Sequence, residues 1–327
     1  MQKSKPTKAV WITWEHQLRN KSMTSNLGVP LCVVDYHANR LKRYTVCMWR
    51  TFKKIYSTRP RVVFAQNPSV VLTLFMLLLR PLFRYTFVSD AHFGGVRAYN
   101  GSLIFQKILD FCNRRADMVI VTNHEHAAYI EQIGGKPFVC EDPLPDLSTF
   151  TERFSAESKT DHKVVFFICS FDIDEPFQAA FEAAELLSME GYKFYVSGNF
   201  RKVNIEPADF PNVNFLGYIP VQEFYSILFN SDVVLDLTNH EGCMVCGAYE
   251  AMSAVKPLVT SEKRVLRAYF THGTVFTQHD GESIAKSIRL AYENREGLTA
   301  EILGWKKKAT ADHQRNIDML RDRFHLH

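Results

Sequence analysis

The chain of 327 residues lacks any apolar run long enough to cross a bilayer. The longest run, Val70 to Leu79 in "VVLTLFMLLLRPLF", has about half of the roughly 20 residues that a transmembrane helix requires. The opening "MQKSKPTKAVWITWEH" also lacks the apolar core and the small-residue cleavage pattern of a secretory signal. Both absences predict a cytoplasmic protein.

The sequence has little excess of either charge, because 39 Lys and Arg against 35 Asp and Glu give a net charge of +4. Such a small excess of positive charge does not indicate a nucleic-acid binder, so we expect no nucleic-acid partner. The seven cysteines are odd in number and scattered through apolar runs, which favours reduced thiols over a disulfide framework.

One CxxC pair, Cys243 and Cys246, raises the question of a metal or redox site. A structural zinc site needs four ligands, and no second CxxC or His pair lies nearby, so we expect no bound metal. A thioredoxin-like pair would follow the first strand of a small βαβ domain, which is not its position here. We interpret both thiols as small apolar side chains at the start of a helix.

Short β-branched runs alternate with helical segments along the whole chain. "AVWITW", "LCVVDY", "RVVFAQ", "YTFVSD", "DMVIVT" and "PFVCED" are typical of buried strands. The pattern stops in the polar stretch between Pro145 and Lys163 and restarts with "KVVFFICS", "YKFYVSGN", "NVNFLGYI", "DVVLDLT" and "GTVFTQ". The sequence predicts an α/β protein with two doubly wound, Rossmann-like domains, residues 1–150 and 151–327, facing a ligand-binding cleft. The charged helix at the C-terminus can pack back across the molecule.

The stretch "EGCMVCGAYEAMSAVKPLVT", residues 241–260, follows the strand "DVVLDLT" as a loop and then a helix. The unsatisfied N–H groups at the start of a helix, together with its dipole, form a site for a diphosphate. Glu250, one or two turns into the helix, can accept hydrogen bonds from ribose hydroxyls. We therefore expect the mouth of the helix after Val245 to bind a nucleoside diphosphate.

This stretch resembles the motif of the large group of retaining nucleotide-sugar glycosyltransferases of the GT-B fold, which has an acid, a gap and a second acid, the second one in "EAMA-G-PVV". The resemblance implies that Glu241 binds the donor sugar, that Glu250 binds the ribose, and that the backbone of Gly242, Cys243, Met244 and Val245 holds the diphosphate. The order of "VSGN", "NVNFLGYIP" and "FYSILFNSDVVLDLT" also resembles the family and extends the similarity over most of residues 163–290.

The match departs from the family at two positions. Eight residues separate Glu241 from Glu250 where the family has seven, and Val255 replaces the glycine that ends the helix. A β-branched residue is poorly suited to the left-handed conformation that glycine permits, so we expect this turn to be built differently.

Residues after other strands of the second domain supply further donor contacts. The family carries Arg and Lys after the first strand of this domain, whereas this chain has the acidic "CSFDIDEP". The charge for the diphosphate is therefore assigned to Arg201 and Lys202 in "VSGNFRK", with hydrogen bonds from Ser170 and Asn199. Tyr218 lies where the family borders the nucleotide base. The alternative for Arg201 and Lys202 is a solvated basic loop without a ligand. The alternative for Tyr218 is packing at the end of its strand.

In the first domain, "FVSDAHFGG" places Asp90 and His92 just beyond a strand end, where ligand-binding loops of such sheets lie. Asp90 is a candidate base toward an acceptor hydroxyl, and His92 a candidate hydrogen-bond donor to the donor sugar or the developing charge. An inverting enzyme requires such a base, whereas a retaining enzyme can use the leaving phosphate. The sequence is compatible with inversion and with retention of the configuration of the donor sugar.

Polar residues after two other strands of the first domain are candidates for acceptor binding. Loop hydrogen bonding is the alternative explanation for each of them. They are Glu15, His16, Arg19, Asn20 and Asn67.

The basic "RLKRYTVCMWRTFKKIYSTRPR" precedes the apolar run at residues 70–79. This order is typical either of a face that lies on an anionic membrane, where a lipid-linked acceptor would be found, or of a buried helix beside a solvated one.

Together these features predict a metal- and cofactor-independent glycosyltransferase with a UDP- or GDP-sugar donor and a glycan or lipid-linked acceptor. The expected role is surface polysaccharide synthesis, in the cytoplasm or peripherally on the inner face of the plasma membrane. The alternatives are a nucleotide-sugar epimerase of the same fold and an inactive relative that only binds nucleotide sugar.

Overall fold

A computed structural model of the protein describes residues 8–67, 69–98, 101–150 and 162–326. The chain divides into two compact units. The first comprises Met1–Pro143 and Ala311–His327, and the second comprises Leu144–Thr310. The break between the units precedes the sequence-based boundary at residue 150, and the end of the chain belongs to the first unit. Most of the polar stretch used to set that boundary, residues 151–161, lies outside the described residues.

The first unit is built on a six-stranded parallel sheet in the order β2-β1-β3-β4-β5-β6. Its strands read as nearly continuous apolar runs because helices cover both faces of such a sheet. They are β1 (Ala9–Thr13), β2 (Leu31–Val33), β3 (Val62–Asn67), β4 (Thr86–Ala91), β5 (Met118–Val121) and β6 (Pro137–Val139).

In the described part of the first unit, six helices connect these strands. In the second helix, Cys47, Thr51 and Ile55 are buried at intervals of four residues, and the Asn39 side chain caps its first turn. The helices are α1 (Leu18–Leu27), α2 (Arg40–Thr58), α3 (Val70–Phe83), α4 (Phe93–Val96), α5 (Leu103–Arg115) and α6 (His124–Gln132).

The second unit repeats this architecture in the order β12-β11-β10-β7-β8-β9, again with parallel pairing throughout. Its strands are β7 (Lys163–Phe167), β8 (Tyr192–Ser197), β9 (Val213–Gly217), β10 (Val233–Asp236), β11 (Leu258–Ser261) and β12 (Thr274–Thr277). Its helices are α7 (Phe177–Leu187), α8 (Val221–Asn230), α9 (Cys246–Ser253), α10 (Arg264–Tyr269) and α11 (Gly281–Glu293).

The last helix, α12 (Arg295–Phe324), contributes to the cores of both units. Its first half supplies Ile302 and Trp305 to an apolar cluster of the second unit. Its second half supplies Ile317 and Leu320 to a cluster of the first unit. The helix therefore completes two separate cores.

The predicted fold class is confirmed. Each apolar run interpreted as a strand forms a strand, and both sheets are parallel. Among the described residues, no helix combines the length and the apolar character that a bilayer span requires.

Candidate functional site

The candidate donor site lies in the second unit, where β7 and β10 end beside each other in the sheet. After β10 the chain crosses a loop and enters α9, which contains Glu250. Gly242 in this loop has φ +76°, a conformation that glycine adopts without steric cost. The side chain of Val245 is buried and that of Met244 packs against the same apolar cluster. These two residues can therefore offer a ligand only their backbone.

The first turn of α9 is already bound by a carboxylate of the chain itself. Asp236, the last residue of β10, is 4% exposed, and its Oδ2 accepts a hydrogen bond of 2.9 Å from the Ala248 N–H. The Gly247 N–H donates to the same carboxylate. A Cβ atom at Gly247 would lie 2.5 Å from Asp236 Oδ2, so this contact requires glycine. Burial, followed by the charge of Glu175, raises the pKa of Asp236 well above its usual range.

The expectation that the mouth of α9 is open to a diphosphate is therefore wrong for these two amides. The amides of residues 242–245, to which the diphosphate was assigned, precede this contact and are not the ones that Asp236 binds.

Glu250 lies in the second turn of α9 beside Tyr225 of α8. The Tyr225 hydroxyl is hydrogen-bonded to the Glu250 carboxyl, and burial raises the pKa of Glu250 to about 7 despite this bond. Within the described part of the chain, Glu250 Oε2 is buried and has no hydrogen-bond partner. A buried oxygen of this kind is energetically unfavourable unless a ligand satisfies it. Glu250 is therefore suited to accept hydrogen bonds from hydroxyl groups.

Glu241 lies in the loop before α9 in a more polar setting. Its side chain is 52% exposed, and Oε1 lies 3.5 Å from Nζ of Lys263. Cys243 is a thiol outside any disulfide, and burial, followed by the charge of Asp174, raises its pKa to about 12; Cys246 is exposed and also forms no disulfide. In the described ranges, no group of three or more His, Cys, Asp or Glu residues has a geometry that would hold a metal ion.

The loop after β7 folds around a second carboxylate of the chain. Glu175 accepts hydrogen bonds from the Ser170 N–H at 2.9 and 3.0 Å and from the Asp172 N–H at 2.8 Å. The Ser170 hydroxyl contacts both Glu175 and Asp172. The N–H groups of Ser170 and Asp172, on either side of Phe171, converge as in an anion-binding nest, and here Glu175 occupies it. The donors that Ser170 was expected to offer a ligand are engaged.

The predicted phosphate-binding residues after β8 and β9 are at the surface. Lys202 Nζ lies 3.2 Å from Asp172 and 3.1 Å from the Ser170 carbonyl oxygen, so it partly offsets the acidic loop. Asn199 and Arg201 are exposed. Tyr218 is 93% exposed, which makes the alternative of strand-end packing wrong for this residue.

The turn that ends α9 is made by Val255 in the left-handed conformation, with φ +57°. The Lys256 N–H bonds the Ala251 carbonyl at 2.9 Å, closing the helix as a glycine-ended helix would be closed. The expectation that this turn is built differently is therefore wrong. The valine adopts the same conformation at a steric cost of about 1–2 kcal/mol.

In the first unit, Asp90 at the end of β4 is fully buried and bound by Arg19. Arg19 Nη2 lies 2.8 Å from Asp90 Oδ1, while Nη1 lies 2.6 Å from Asp142 and Nη2 also contacts the Cys140 carbonyl oxygen. Burial opposes ionisation of Asp90, but Arg19 and His92 outweigh it and hold its pKa well below the usual range. A buried carboxylate of this kind is a poor proton acceptor.

His92 follows Asp90 and lies nearer the surface. Its Nε2 is 3.4 Å from Asp90 Oδ2, and its side chain is 26% exposed. The pair therefore places the carboxylate behind the imidazole. In this geometry Asp90 can orient His92, which is the member of the pair that a substrate can reach.

The residues proposed for acceptor binding separate into two groups. Glu15 and His16 are exposed and lie near Arg43 and Asp35 respectively. Arg19, Asn20 and Asn67 are buried, so direct contact with an acceptor does not fit their positions. Asn20 bonds Trp11, Thr13 and Gln66, and Asn67 donates to the Gly95 carbonyl. For these three, the alternative of structural hydrogen bonding is the better account.

Sequence reasoning missed Tyr225, Asp236 and Glu175. The one available signal for Asp236 is an acid that interrupts the apolar strand "DVVLDLT" just before a glycine-containing helix start. Tyr225 and Glu175 carry no comparable signal, because their partners depend on how separate elements pack.

The second unit matches a family model. Residues 148–307, just under half of the chain, match the model described as "Glycosyl transferases group 1". No curated protein sequence matches the chain.

Solved structures match nearly the whole chain at low identity. HepE of Anabaena in complex with UDP-glucose has a TM-score of 0.68 at 13% identity and covers 97% of this chain and 98% of its own. A glycosyltransferase of Rickettsia africae has a TM-score of 0.70 at 9% identity, with 97% and 98% covered. UDP-GlcNAc 2-epimerase of Methanocaldococcus jannaschii has a TM-score of 0.57 at 11% identity, with 87% and 92% covered. The chain therefore has the GT-B fold, with a group 1 glycosyltransferase domain match in its second unit.

Proposed function

We propose that the protein is a glycosyltransferase that moves a sugar from a nucleotide-diphosphate sugar to a glycan or lipid-linked acceptor in surface polysaccharide synthesis. The match of residues 148–307 to group 1 glycosyltransferases carries this proposal. The position of Glu250 supports it, because a buried carboxylate with an unmatched oxygen suits a ligand rich in hydroxyl groups. The UDP-glucose bound to HepE favours a uridine nucleotide over guanosine.

In this proposal Glu250 holds the ribose hydroxyls, and the amides of residues 242–245 hold the diphosphate. Glu241 contacts the donor sugar from the exposed loop. Arg201 and Lys202 supply positive charge, Asn199 supplies hydrogen bonds, and Tyr218 contacts the base. Ser170 can donate to the ligand only when it gives up its bonds to Glu175. The two carboxylates Asp236 and Glu175 limit where phosphate oxygens can bind, since each already occupies backbone N–H groups.

For the transfer step we propose His92 as the group that contacts the substrate, with Asp90 as its positioning residue. In an inverting reaction His92 would accept the proton of the acceptor hydroxyl, and the carboxylate behind it would stabilise the imidazolium. In a retaining reaction the leaving phosphate takes that proton, and His92 donates a hydrogen bond to the donor sugar. The reaction is proposed to need no metal ion or cofactor, so chelation by EDTA should leave turnover unchanged.

The proposal is tested by thermal unfolding in the presence of UDP and of GDP. A ligand at 100 times its dissociation constant stabilises the folded state by about 2.7 kcal/mol, which is a measurable rise in melting temperature. Glu250→Ala should abolish the UDP-dependent rise. Glu223→Ala, at an exposed position of the neighbouring helix α8, is the matched control and should retain it. An undiminished rise in Glu250→Ala would remove the ribose assignment.

An epimerase is the second candidate, because the M. jannaschii 2-epimerase also has this fold. Incubation with UDP-sugar but no acceptor separates the two, since only an epimerase would convert the sugar under these conditions. An inactive relative would bind UDP-sugar, show no turnover, and tolerate His92→Ala without any change in behaviour.

We also propose peripheral contact with an anionic membrane through α2 and α3. Helix α2 carries six Lys and Arg residues and no acid, and it exposes Trp49 and Tyr56. Helix α3 exposes Leu78 at 70% and Leu82 at 64%. Basic groups beside exposed apolar side chains match an anionic interface. Sedimentation with vesicles containing phosphatidylserine should fall when Lys53 and its neighbour Lys54 are replaced by Gln, and neutral vesicles should bind neither form.

A further inference from the structure

Several buried side chains near the carboxyl ends of β3 and β4 have polar atoms without partners. Within the described residues of the first unit, these atoms include Gln66 Nε2, Asn67 Oδ1, Ser89 Oγ, Asn113 Oδ1 and His126 Nε2. Unpaired buried polar atoms are rare in native proteins, and a cluster of them calls for an explanation such as a ligand. Among these side chains His126 is the most informative, because its neighbours determine which ring nitrogen carries the proton.

His126 lies in the first turn of α6 and is 3% exposed. The Asn123 Oδ1 atom accepts a hydrogen bond of 2.8 Å from the His126 backbone N–H. This bond fixes the orientation of the Asn123 amide, so that its Nδ2 group is the one facing His126 Nδ1, at 3.3 Å. Because an amide nitrogen can only donate, Nδ1 accepts and carries no proton. A neutral His126 therefore bears its hydrogen on Nε2.

The Nε2–H group of His126 is thus a buried donor for which the described residues supply no acceptor. Its surroundings are apolar and positively charged. The Phe93 ring lies 5.9 Å from the imidazole between centroids. Burial, followed by the charges of Arg97 and His92, lowers the pKa of His126 to about 4. Arg97 is held in place by stacking on Tyr129 of the same helix as His126, with its guanidinium 3.5 Å from the ring centroid.

A neutral N–H donor in the electric field of a guanidinium and a second imidazole is suited to bind oxygen atoms that carry negative charge. Asp90 does not compete strongly for this role, because Arg19 already holds its carboxylate. An ordinary core histidine has both nitrogens bonded or exposed, whereas within the described residues His126 Nε2 is neither.

We propose that His126 and Arg97 form an oxyanion subsite that binds a phosphate or carboxylate group of the acceptor substrate. This inference rests on the proposed transferase function and narrows its acceptor to an acidic one. His92, next to the subsite, would then lie beside the hydroxyl that receives the sugar. Nothing in the donor assignment depends on this subsite.

The test is NMR of protein labelled in its histidine side chains, with saturating UDP present to occupy the second unit. Inorganic phosphate is titrated in one arm and glucuronate in the other, which distinguishes a phosphorylated acceptor from an acidic sugar. We expect a saturable shift of the His126 ring signals with one of the two probes. Arg97→Gln should weaken that binding at least tenfold, and the exposed neighbour His124→Gln should leave it unchanged.

A second variant guards against a purely structural role. His126→Phe keeps a ring in the core but removes the buried Nε2–H donor, so a probe that shifts the ring signals of His92 in the wild type should no longer shift them in this variant. The subsite is refuted if neither probe shifts His126, if Arg97→Gln binds the probe equally well, or if the probe still shifts His92 in His126→Phe. A normal UDP-dependent stabilisation in these variants shows that the donor assignment survives any such failure.

Discussion

Replacing Glu250 by glutamine should stabilise the protein at alkaline pH and weaken nucleotide binding at the same time. The pKa of this carboxyl rises from an ordinary value of 4.5 to about 7 in the folded state, chiefly because the side chain is buried. The folded protein therefore binds the proton more tightly than the unfolded chain does. It loses stability as the pH rises from 4.5 toward 7 and keeps that loss at higher pH.

The size of this loss follows from the difference in pKa. At about 1.4 kcal/mol for each tenfold change in proton affinity, the ionised Glu250 costs about 3 kcal/mol of folding free energy above pH 7. An uncharged glutamine at this position avoids the cost and can still bond the Tyr225 hydroxyl. For a unit of this size the gain corresponds to a rise in melting temperature of roughly 6–12 °C. The gain is an upper value, since the glutamine amide brings its own buried donor.

The assay is thermal or urea unfolding of wild type and Glu250→Gln at several values between about pH 5 and pH 8. The difference should be near zero at the acid end and grow through neutrality, and UDP should no longer stabilise the variant. Glu241→Gln, at a half-exposed carboxylate, is the control and should show no such growth. A difference that is independent of pH, or a variant less stable than wild type at every pH, would refute the reasoning.

Three further predictions concern the backbone and the charge network. Val255→Gly should raise the free energy of unfolding, measured in urea, by about 1 kcal/mol, because glycine adopts the left-handed turn without strain; no gain would mean that valine packing outweighs the strain. Glu175→Gln should tighten UDP binding several-fold, because a neutral side chain releases the backbone N–H groups after β7 to a phosphate more readily than a carboxylate does. An unchanged affinity would mean that phosphate does not bind in that nest. Arg19→Met should lower the free energy of unfolding by about 3–5 kcal/mol, because it leaves Asp90 buried and unpaired. Arg43→Met, in an exposed pair, should lower it by less than about 1 kcal/mol, and equal losses would contradict the burial argument.

The strands and their order of appearance were predictable because each is an apolar run bounded by polar or turn-forming residues. Buried parallel strands need such runs, so "KVVFFICS" and "DVVLDLT" indicate β7 and β10 without knowledge of their neighbours. Helix α9 and the position of Glu250 in its second turn were predictable for the same local reason.

The charge pairing could not be predicted, because it depends on contacts between distant segments. Arg19 and Asp90 are 71 positions apart, and only folding brings the guanidinium onto the carboxylate. The tripeptide "DAH" on its own gives no information on which of its polar side chains is buried. The same limit explains why Asp236 and Glu175 were missed as occupants of backbone amides. The conformation of Val255 is not predictable from residue preference alone, because the surrounding packing can enforce a conformation that is costly for valine.

Helix α12 gives the two units different histories during synthesis. The second unit is a continuous segment and can complete its core once Trp305 has emerged from the ribosome. The first unit has to wait, because Ile317 and Leu320 pack beside Trp11, and Phe324 meets Phe64 edge-on at 5.6 Å. The half of the molecule that is translated first is therefore finished last, because part of the apolar cluster around Trp11 and Phe64 is supplied by the end of the chain.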